Sequence, residues 1–297
     1  MQFGLSEEQI LLQDNVNRFL DDNSSLDRVR AYADGGADTD IWAGLAELGI
    51  PALLIPEAHG GIGLQPLDAA IVAECLGSHI APTPFLGSAV MAPTALVASG
   101  GDHGELLADI AAGTTRIGIA FGEAIKRRND AGVSVKDGRM SGTSMYAFDA
   151  EADAYLVADE HQHIYLVRTD DPGLTRSDLA TVDKTRRTVE LNYENVAAEL
   201  VSADPTVFAA SIDIGRMALA ADTLGAAQNM LDQAVEYAKQ REQFNRPIGS
   251  FQAVKHMCAE MAAQLEPCRS MVWFAGHALA ELPDEARVTA CHTKAHL

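Results

Sequence analysis

The sequence predicts an α+β protein, mainly α: an N-terminal helical domain, a small antiparallel β-sandwich or barrel, and a C-terminal antiparallel helix bundle. Three observations predict it. Residues 1–113 repeat apolar side chains at helical spacing. Residues 114–202 break into short apolar runs bounded by turn residues. Residues 203–297 return to two long helical seams. These three stretches are the expected domains. The last pattern stops at Lys294-Ala295-His296-Leu297, inside a helical repeat with no cap, so the bundle is expected to be incomplete.

In the first domain, Ser6 with Gln9 is a capping-box pattern ahead of Ile10, Val16, Phe19 and Leu20. A second helix carries Ile41, Trp42, Leu45 and Leu48 and stops at Gly49. The stretch 51–63, rich in proline and glycine, reads as a buried turn with close backbone approach. Its His59-Gly60-Gly61 resembles the oxyanion loop of α/β-hydrolases, but the chain has no G-x-S-x-G elbow, so that chemistry is excluded. No Lys-Ser/Thr follows the glycines, which also excludes a P-loop. Helices are expected again over 67–76, 89–98 and 106–112.

The period changes near Thr114. Strands are expected at 116–121, 133–135, 154–158, 164–167 and 188–191, with Asp137-Gly138 as the turn of a hairpin. After Asp204-Pro205 the helical period returns. Met217, Ala221, Leu224, Leu231, Val235 and Ala238 form one seam, and Phe251, Val254, Cys258, Met261, Leu265, Cys268, Val272 and Ala275 form the next. Pro267 falls inside the second and is expected to kink or split that helix.

Composition narrows the function. The net charge is −20, which excludes a general basic surface for nucleic acid or anionic membrane. No apolar run approaches the roughly 20 residues of a membrane span. The first residues lack the basic and apolar regions of a signal peptide. The four cysteines have no metal-type spacing, and a reducing cytoplasm suits them. The histidines are scattered; His292 and His296 are four apart, but Thr293 stands where a zinc-protease motif needs glutamate. No metal is expected.

The connector between the two seams departs from a short polar turn. Arg241-Glu242-Gln243-Phe244-Asn245-Arg246-Pro247-Ile248-Gly249-Ser250-Phe251-Gln252 combines a guanidinium at a helix end, two amides and several apolar rings. That set suits a phosphate joined to a flat heterocycle. It also suits a plain bundle end, with Arg241 capping helix carbonyls and the phenylalanines as plugs.

The order α–β–α with this connector resembles the acyl-CoA dehydrogenase family. Four segments carry the resemblance over essentially the whole chain. Leu5-Ser6-Glu7-Glu8-Gln9 resembles the family's opening helix. Residues 49–63, with Pro56-Glu57 and Gly60-Gly61-Ile62-Gly63, resemble its G…PE…GG-x-G segment. Ser141-Gly142-Thr143-Ser144-Met145-Tyr146 resembles its N-G-x-K-x-W strand. Arg241-Glu242-Gln243-Phe244 through Phe251-Gln252 resembles its R-x-Q-F signature, the most specific of the four. Asp183-Lys184-Thr185-Arg186-Arg187 is similar to a stretch in bacterial steroid-degrading members.

The resemblance implies FAD as cofactor, lying between subunits, with the R-x-Q-F connector reaching to the neighbour's FAD. Arg241 would then meet the pyrophosphate and Gln252 the adenosine side, with Gln243 supplying an amide and Phe244, Ile248 and Phe251 the apolar walls. It also implies an acyl-CoA substrate. The departures sit elsewhere. The family's T-E-P…G-S-D pattern is reduced to Ala120-Phe121-Gly122-Glu123, followed by Lys126-Arg127-Arg128, a solvated loop or a contact for coenzyme A phosphates. The family tryptophan is Tyr146, and the hydroxyl that serves flavin is Phe148. The place of the helix-borne catalytic glutamate is Gly215, and Asp213 points around the helix; no catalytic residue is assigned.

The expected function is therefore a subunit of an FAD-dependent acyl-CoA dehydrogenase, active as a hetero-oligomer in the cytoplasm. It would donate its R-x-Q-F arm to FAD shared with a catalytic partner, on a substrate such as a steroid side-chain CoA ester. Two alternatives stand beside it: a homomeric dehydrogenase whose base lies in a missing C-terminal segment, and a flavin-free scaffold subunit.

Overall fold

The computed structural model describes residues 4–36, 39–125 and 131–297; Lys126, Arg127 and Arg128 lie outside the described residues. Helices α1 (Glu7–Asn23), α2 (Leu26–Ala33), α3 (Thr39–Glu47) and α4 (Pro66–Ser78) precede a π-helical segment, Phe85–Met91, which runs into α5 (Ala92–Ala98). Then come α6 (Gly104–Ala111), β1 (Ile117–Ala120) and a single helical turn, α7 (Gly122–Ile125). Strands β2 (Gly132–Lys136), β3 (Arg139–Phe148), β4 (Ala154–Ala158), β5 (Ile164–Arg168), β6 (Leu174–Asp178), β7 (Thr188–Ala197) and β8 (Glu199–Ser202) follow. Helix α8 (Pro205–Gln240), a short hairpin of β9 (Glu242–Gln243) and β10 (Arg246–Pro247), α9 (Gln252–Glu281) and α10 (Pro283–His296) complete the chain. The mainly α, α+β class is as expected.

The chain folds into two compact units, each assembled from separate stretches of sequence. The described residues within 1–26, 66–81 and 216–297 form one, and those within 27–65 and 82–215 the other.

In the first unit, α1 starts as its sequence demands. Gln9 N donates to Ser6 Oγ at 3.2 Å, and Ser6 N donates to Gln9 Oε1 at 3.0 Å, so two otherwise unpaired helix-end donors are satisfied. Helices α4 and α8 cross with their backbones touching. A Cβ on Gly77 would lie 1.9 Å from Asp222 O, and one on Gly225 1.9 Å from Glu74 O, so only glycine fits either place. The buried carboxylate of Glu74 pairs with Arg269, tying α4 to α9. Met217, Ala221 and Leu224 of the first seam are fully buried, as are Val272 and Ala275 of the second. Further along, Leu231, Val235, Val254, Cys258 and Leu265 are only half-buried and Met261 is 42% exposed. The helix does not split at Pro267: α9 is unbroken from Gln252 to Glu281, and the break falls at Leu282-Pro283. Pro267 is exposed, so its missing N–H leaves a carbonyl that solvent can satisfy. Pro283 opens α10, where a proline lacks only a donor that would be unpaired anyway.

In the second unit, the eight-stranded sheet has the order β6-β7-β3-β1-β4-β5-β8, with β2 paired to β3. Every pairing is antiparallel except β1 with β4, so the sheet is mixed. The period-two pattern divides two cores. Ile117, Ile119, Leu156, Ile164 and Leu166 face a cluster with Ala92, Leu96, Leu107 and Phe208 from the helices. Ala120, Tyr155, Val157, Val167, Val189 and Leu191 face the other side. All five residues of β4 are buried, as a strand covered on both faces requires. Tyr155 OH donates to Asp149 O at 2.6 Å, and burial pushes its phenol up to about 12. The turn between β2 and β3 has Asp137 at φ 51° and Gly138 at φ 71°, the left-handed pair a type I′ turn needs.

Residues 51–63 form the expected turn, but only its first part is buried: Pro51, Ala52, Leu53 and Ile55 lie inside, whereas Ile62 is 42% exposed and Gly63 is exposed. Ile62 N donates to Ala52 O at 2.9 Å and Gly63 N to Ile55 O at 2.8 Å. Gly61 sits there because a Cβ would lie 1.9 Å from Ile55 O. Among the described residues, no helix is long and apolar enough to cross a membrane, and no group of three His, Cys, Asp or Glu side chains could hold a metal ion.

Candidate functional site

The connector after α8 folds as a protruding two-strand hairpin. Gln243 pairs with Arg246 and Glu242 with Pro247, and Ile248 N donates to Arg241 O at 2.7 Å, carrying the pairing one step further. Phe244 and Asn245 form the two-residue loop at φ 53° and 58°. Both central residues of a type I′ turn must be left-handed, which a phenylalanine adopts at a cost of order 1 kcal/mol. A turn of this kind fixes the register and hence the faces.

Side chains of directly opposed strand residues share a face. Arg241, Gln243, Arg246 and Ile248 therefore lie on one face of the hairpin and Glu242 and Pro247 on the other. Arg241 directly follows α8, its N donating to Tyr237 O at 2.8 Å, and its side chain is exposed. Gln243 is exposed, with Nε2 donating to Glu242 O at 2.8 Å. Phe244 stands 87% exposed at the tip and meets the half-buried Phe251 edge-on, with ring centroids 6.1 Å apart. Ile248 is half-buried at the start of a 3-10 turn, and Gln252, exposed, opens α9. Phe251 holds the N-cap place of α9 without a side-chain cap, so the first-turn amides of a 30-residue helix keep their donors for another acceptor. Every residue that the connector motif singled out lies on this hairpin or at the helix start beside it. The set offers cations, amides and flat apolar surfaces outward.

A second set of residues that the resemblance singled out lies in the other unit. Strand β3 carries a register shift between Ser144 and Ala147, and within it Tyr146 takes φ 56°. Bulges re-aim the side chains around them. Here Met145 N donates to Oε1 of Glu123, a carboxylate only 5% exposed, and Tyr146 turns outward at 48% exposure. Two residues on, Phe148 packs its ring against the helix-facing core. Phe148 also lines a small pocket with Tyr32, Gly87, Thr185, Arg186 and Arg187. Arg187 is already engaged: it donates to Tyr32 O at 3.0 Å and to Glu151 Oε1 at 3.1 Å, and stacks 4.2 Å over the Tyr32 ring.

Gly215 of α8 has a different neighbour. A Cβ added there would lie 2.8 Å from Met91 Sδ, so the thioether fills the volume a longer side chain would need. Asp213, two residues away, is buried. The contacts of Glu123 and Met91 escaped the sequence reading, since each joins elements far apart in the chain. Arg246 is already visible in the sequence as the connector's second cation, which with Arg241 could hold an anionic ligand, and the hairpin register places the two on one face.

Comparison with known proteins identifies the family. Residues 6–113 match the acyl-CoA dehydrogenase N-terminal domain and residues 206–296 the acyl-CoA dehydrogenase C-terminal domain. The chain is 33% identical over 276 residues to the acyl-CoA dehydrogenase IpdE2 of Mycobacterium tuberculosis, covering 92% of this chain and 76% of IpdE2. Its structure is similar to that of the ChsE4-ChsE5 complex from Mycobacterium tuberculosis, with TM-score 0.87, 27% identity, and coverage of 100% of this chain and 86% of that one. It is also similar to a Tcur3481-Tcur3483 steroid ACAD variant, with TM-score 0.84, 28% identity, and coverage of 98% and 86%. The chain belongs to the acyl-CoA dehydrogenase family.

Proposed function

We propose that this chain is the non-catalytic subunit of a cytoplasmic, hetero-oligomeric acyl-CoA dehydrogenase, lending its hairpin to FAD held mainly by a catalytic partner subunit. The observation that carries the reading is the outward hairpin: Arg241 and Gln243 share one exposed face and Phe244 is 87% exposed beside them. A residue set that serves a phosphate and a flat heterocycle, and that points away from its own chain, suits a cofactor bound elsewhere. When bound, FAD supplies the acceptor for hydride leaving the β-carbon of the acyl thioester.

In this arrangement Arg241 would bind the pyrophosphate by charge-assisted hydrogen bonds. Phe244, Ile248 and Phe251 wall the apolar faces, while Gln243 and Gln252 hydrogen-bond the polar edges. The companion supplies the carboxylate that takes the α-proton. In this chain the corresponding place is Gly215, covered by Met91. The same holds for the flavin ring: Phe148 has no hydroxyl to offer and its ring packs into the core. The likeness to the ChsE4-ChsE5 complex and to a steroid ACAD supports a heteromeric partner and a steroid side-chain CoA ester as substrate.

The test is to purify the chain alone and with its companion, then count flavin and assay acyl-CoA oxidation. The expected result is flavin and activity only in the complex. Stoichiometric FAD on the isolated chain, with oxidation of an acyl-CoA, would overturn the reading.

A further inference from the structure

We propose that Arg246 is a second phosphate-binding residue of the arm, acting with Arg241 on the pyrophosphate; this rests on the reading of the hairpin as half of an FAD site. The hairpin register places Arg246 opposite Gln243, on the same face as Arg241 and Ile248. The two cations therefore converge on one side, while the acidic Glu242 lies on the other. A pyrophosphate diester carries two negative charges, and one guanidinium balances only one of them. In a chain of net charge −20, a local pair of cations is what raises the potential enough to hold a dianion.

Arg246 is also held in place. Its guanidinium carbon lies 4.0 Å from the centroid of the Phe251 ring, and Phe251 is itself braced edge-on by Phe244. Stacking uses the face of the guanidinium and leaves its in-plane N–H donors free, so ring contact and phosphate contact can be made together. Pinning a long side chain before the ligand arrives lowers the entropy lost on binding. Arg246 is exposed, so replacing it leaves the packed part of the unit untouched.

The experiment measures FAD affinity of the complex with the companion, over a range of salt, for the wild type, Arg241→Ala, Arg246→Leu and Arg246→Lys. Leucine keeps apolar contact with Phe251 and removes the charge; lysine keeps the charge. Expected are about tenfold weaker binding and a shallower salt dependence for Arg246→Leu, with Arg246→Lys retaining most of the salt dependence. If Arg246→Leu weakens FAD without altering the salt dependence, Arg246 acts only by propping Phe251 and the phosphate role is overturned. If Arg246→Leu binds as the wild type does while Arg241→Ala is weakened, the inference fails and the arm reading stands. If both variants bind as the wild type does, the arm reading fails with it.

Discussion

The hairpin at 242–247 and the strand end at 144–148 both place large side chains in the left-handed backbone region, yet to opposite ends. In the hairpin, Phe244 and Asn245 take φ 53° and 58° and the strained turn projects a ring and an arginine face outward. In β3, Tyr146 takes φ 56°, and the bulge around it closes contacts inward: Met145 N onto Glu123 Oε1, and the Phe148 ring onto the core. Strain is retained only where the surroundings over-determine it. One region turns its groups out to solvent, the other turns them onto its own chain. If the proposed sharing of FAD between subunits holds, the arm should matter for cofactor and little for stability, and the pocket the reverse.

The largest effect should come from Met91→Ala. Met91 is 4% exposed and fills the space over Gly215, so truncation leaves a cavity and should cost about 2–5 kcal/mol, read as a lower denaturant midpoint. FAD affinity of the surviving complex should be unchanged. Arg241→Ala should do the converse. It should weaken FAD by about 1.5–3 kcal/mol, a tenfold to hundredfold rise in Kd by titration, while thermal unfolding shifts by less than about 0.5 kcal/mol.

Smaller effects sharpen the contrast. Glu123→Gln keeps an acceptor for Met145 N but loses its charge, and should cost about 1 kcal/mol of stability with no change in flavin content. A change in flavin content there would break the comparison. Phe244→Ala should leave stability within about 0.5 kcal/mol, because the ring is 87% exposed, and should weaken FAD by about 0.5–1.5 kcal/mol. A separate effect lies at alkaline pH in the helical unit. Burial pushes the Cys75 thiol up to about 12 from its ordinary 9.0, so the folded state holds its proton more tightly than the unfolded one. Its contribution is full below pH 9 and is lost as pH rises towards 12. Urea midpoints measured up that range should fall less in Cys75→Ala than in the parent.

Much of the fold was legible because its signals are local. The capping box at Ser6 and Gln9, the Asp137-Gly138 turn and the two seams flanking Arg241 each declare themselves within a few residues. Strands β6 and β8 were not foreseen. Strand β6, at the edge of the sheet, is almost wholly exposed and reads Leu-Thr-Arg-Ser-Asp, with no apolar alternation to show. The parallel pairing of β1 with β4 was hidden for another reason: alternation fixes which face a residue takes, not which strand lies beside it. Pro267 misled because the rule for proline assumes a helix interior that must satisfy its own carbonyls, whereas here the residue faces water. At the site, the hairpin residues were legible as a motif. The Glu123 to Met145 bond spans residues 22 apart, and Arg246 over Phe251 needed the turn geometry before it could be seen.

The central claim is that this chain contributes the arm and its partner the flavin ring. The most direct measurement is the structure of the purified complex with FAD bound. The account predicts the pyrophosphate against Arg241 and the isoalloxazine ring in the partner's β domain. An isoalloxazine ring seated against Tyr146 and Phe148 of this chain would contradict it.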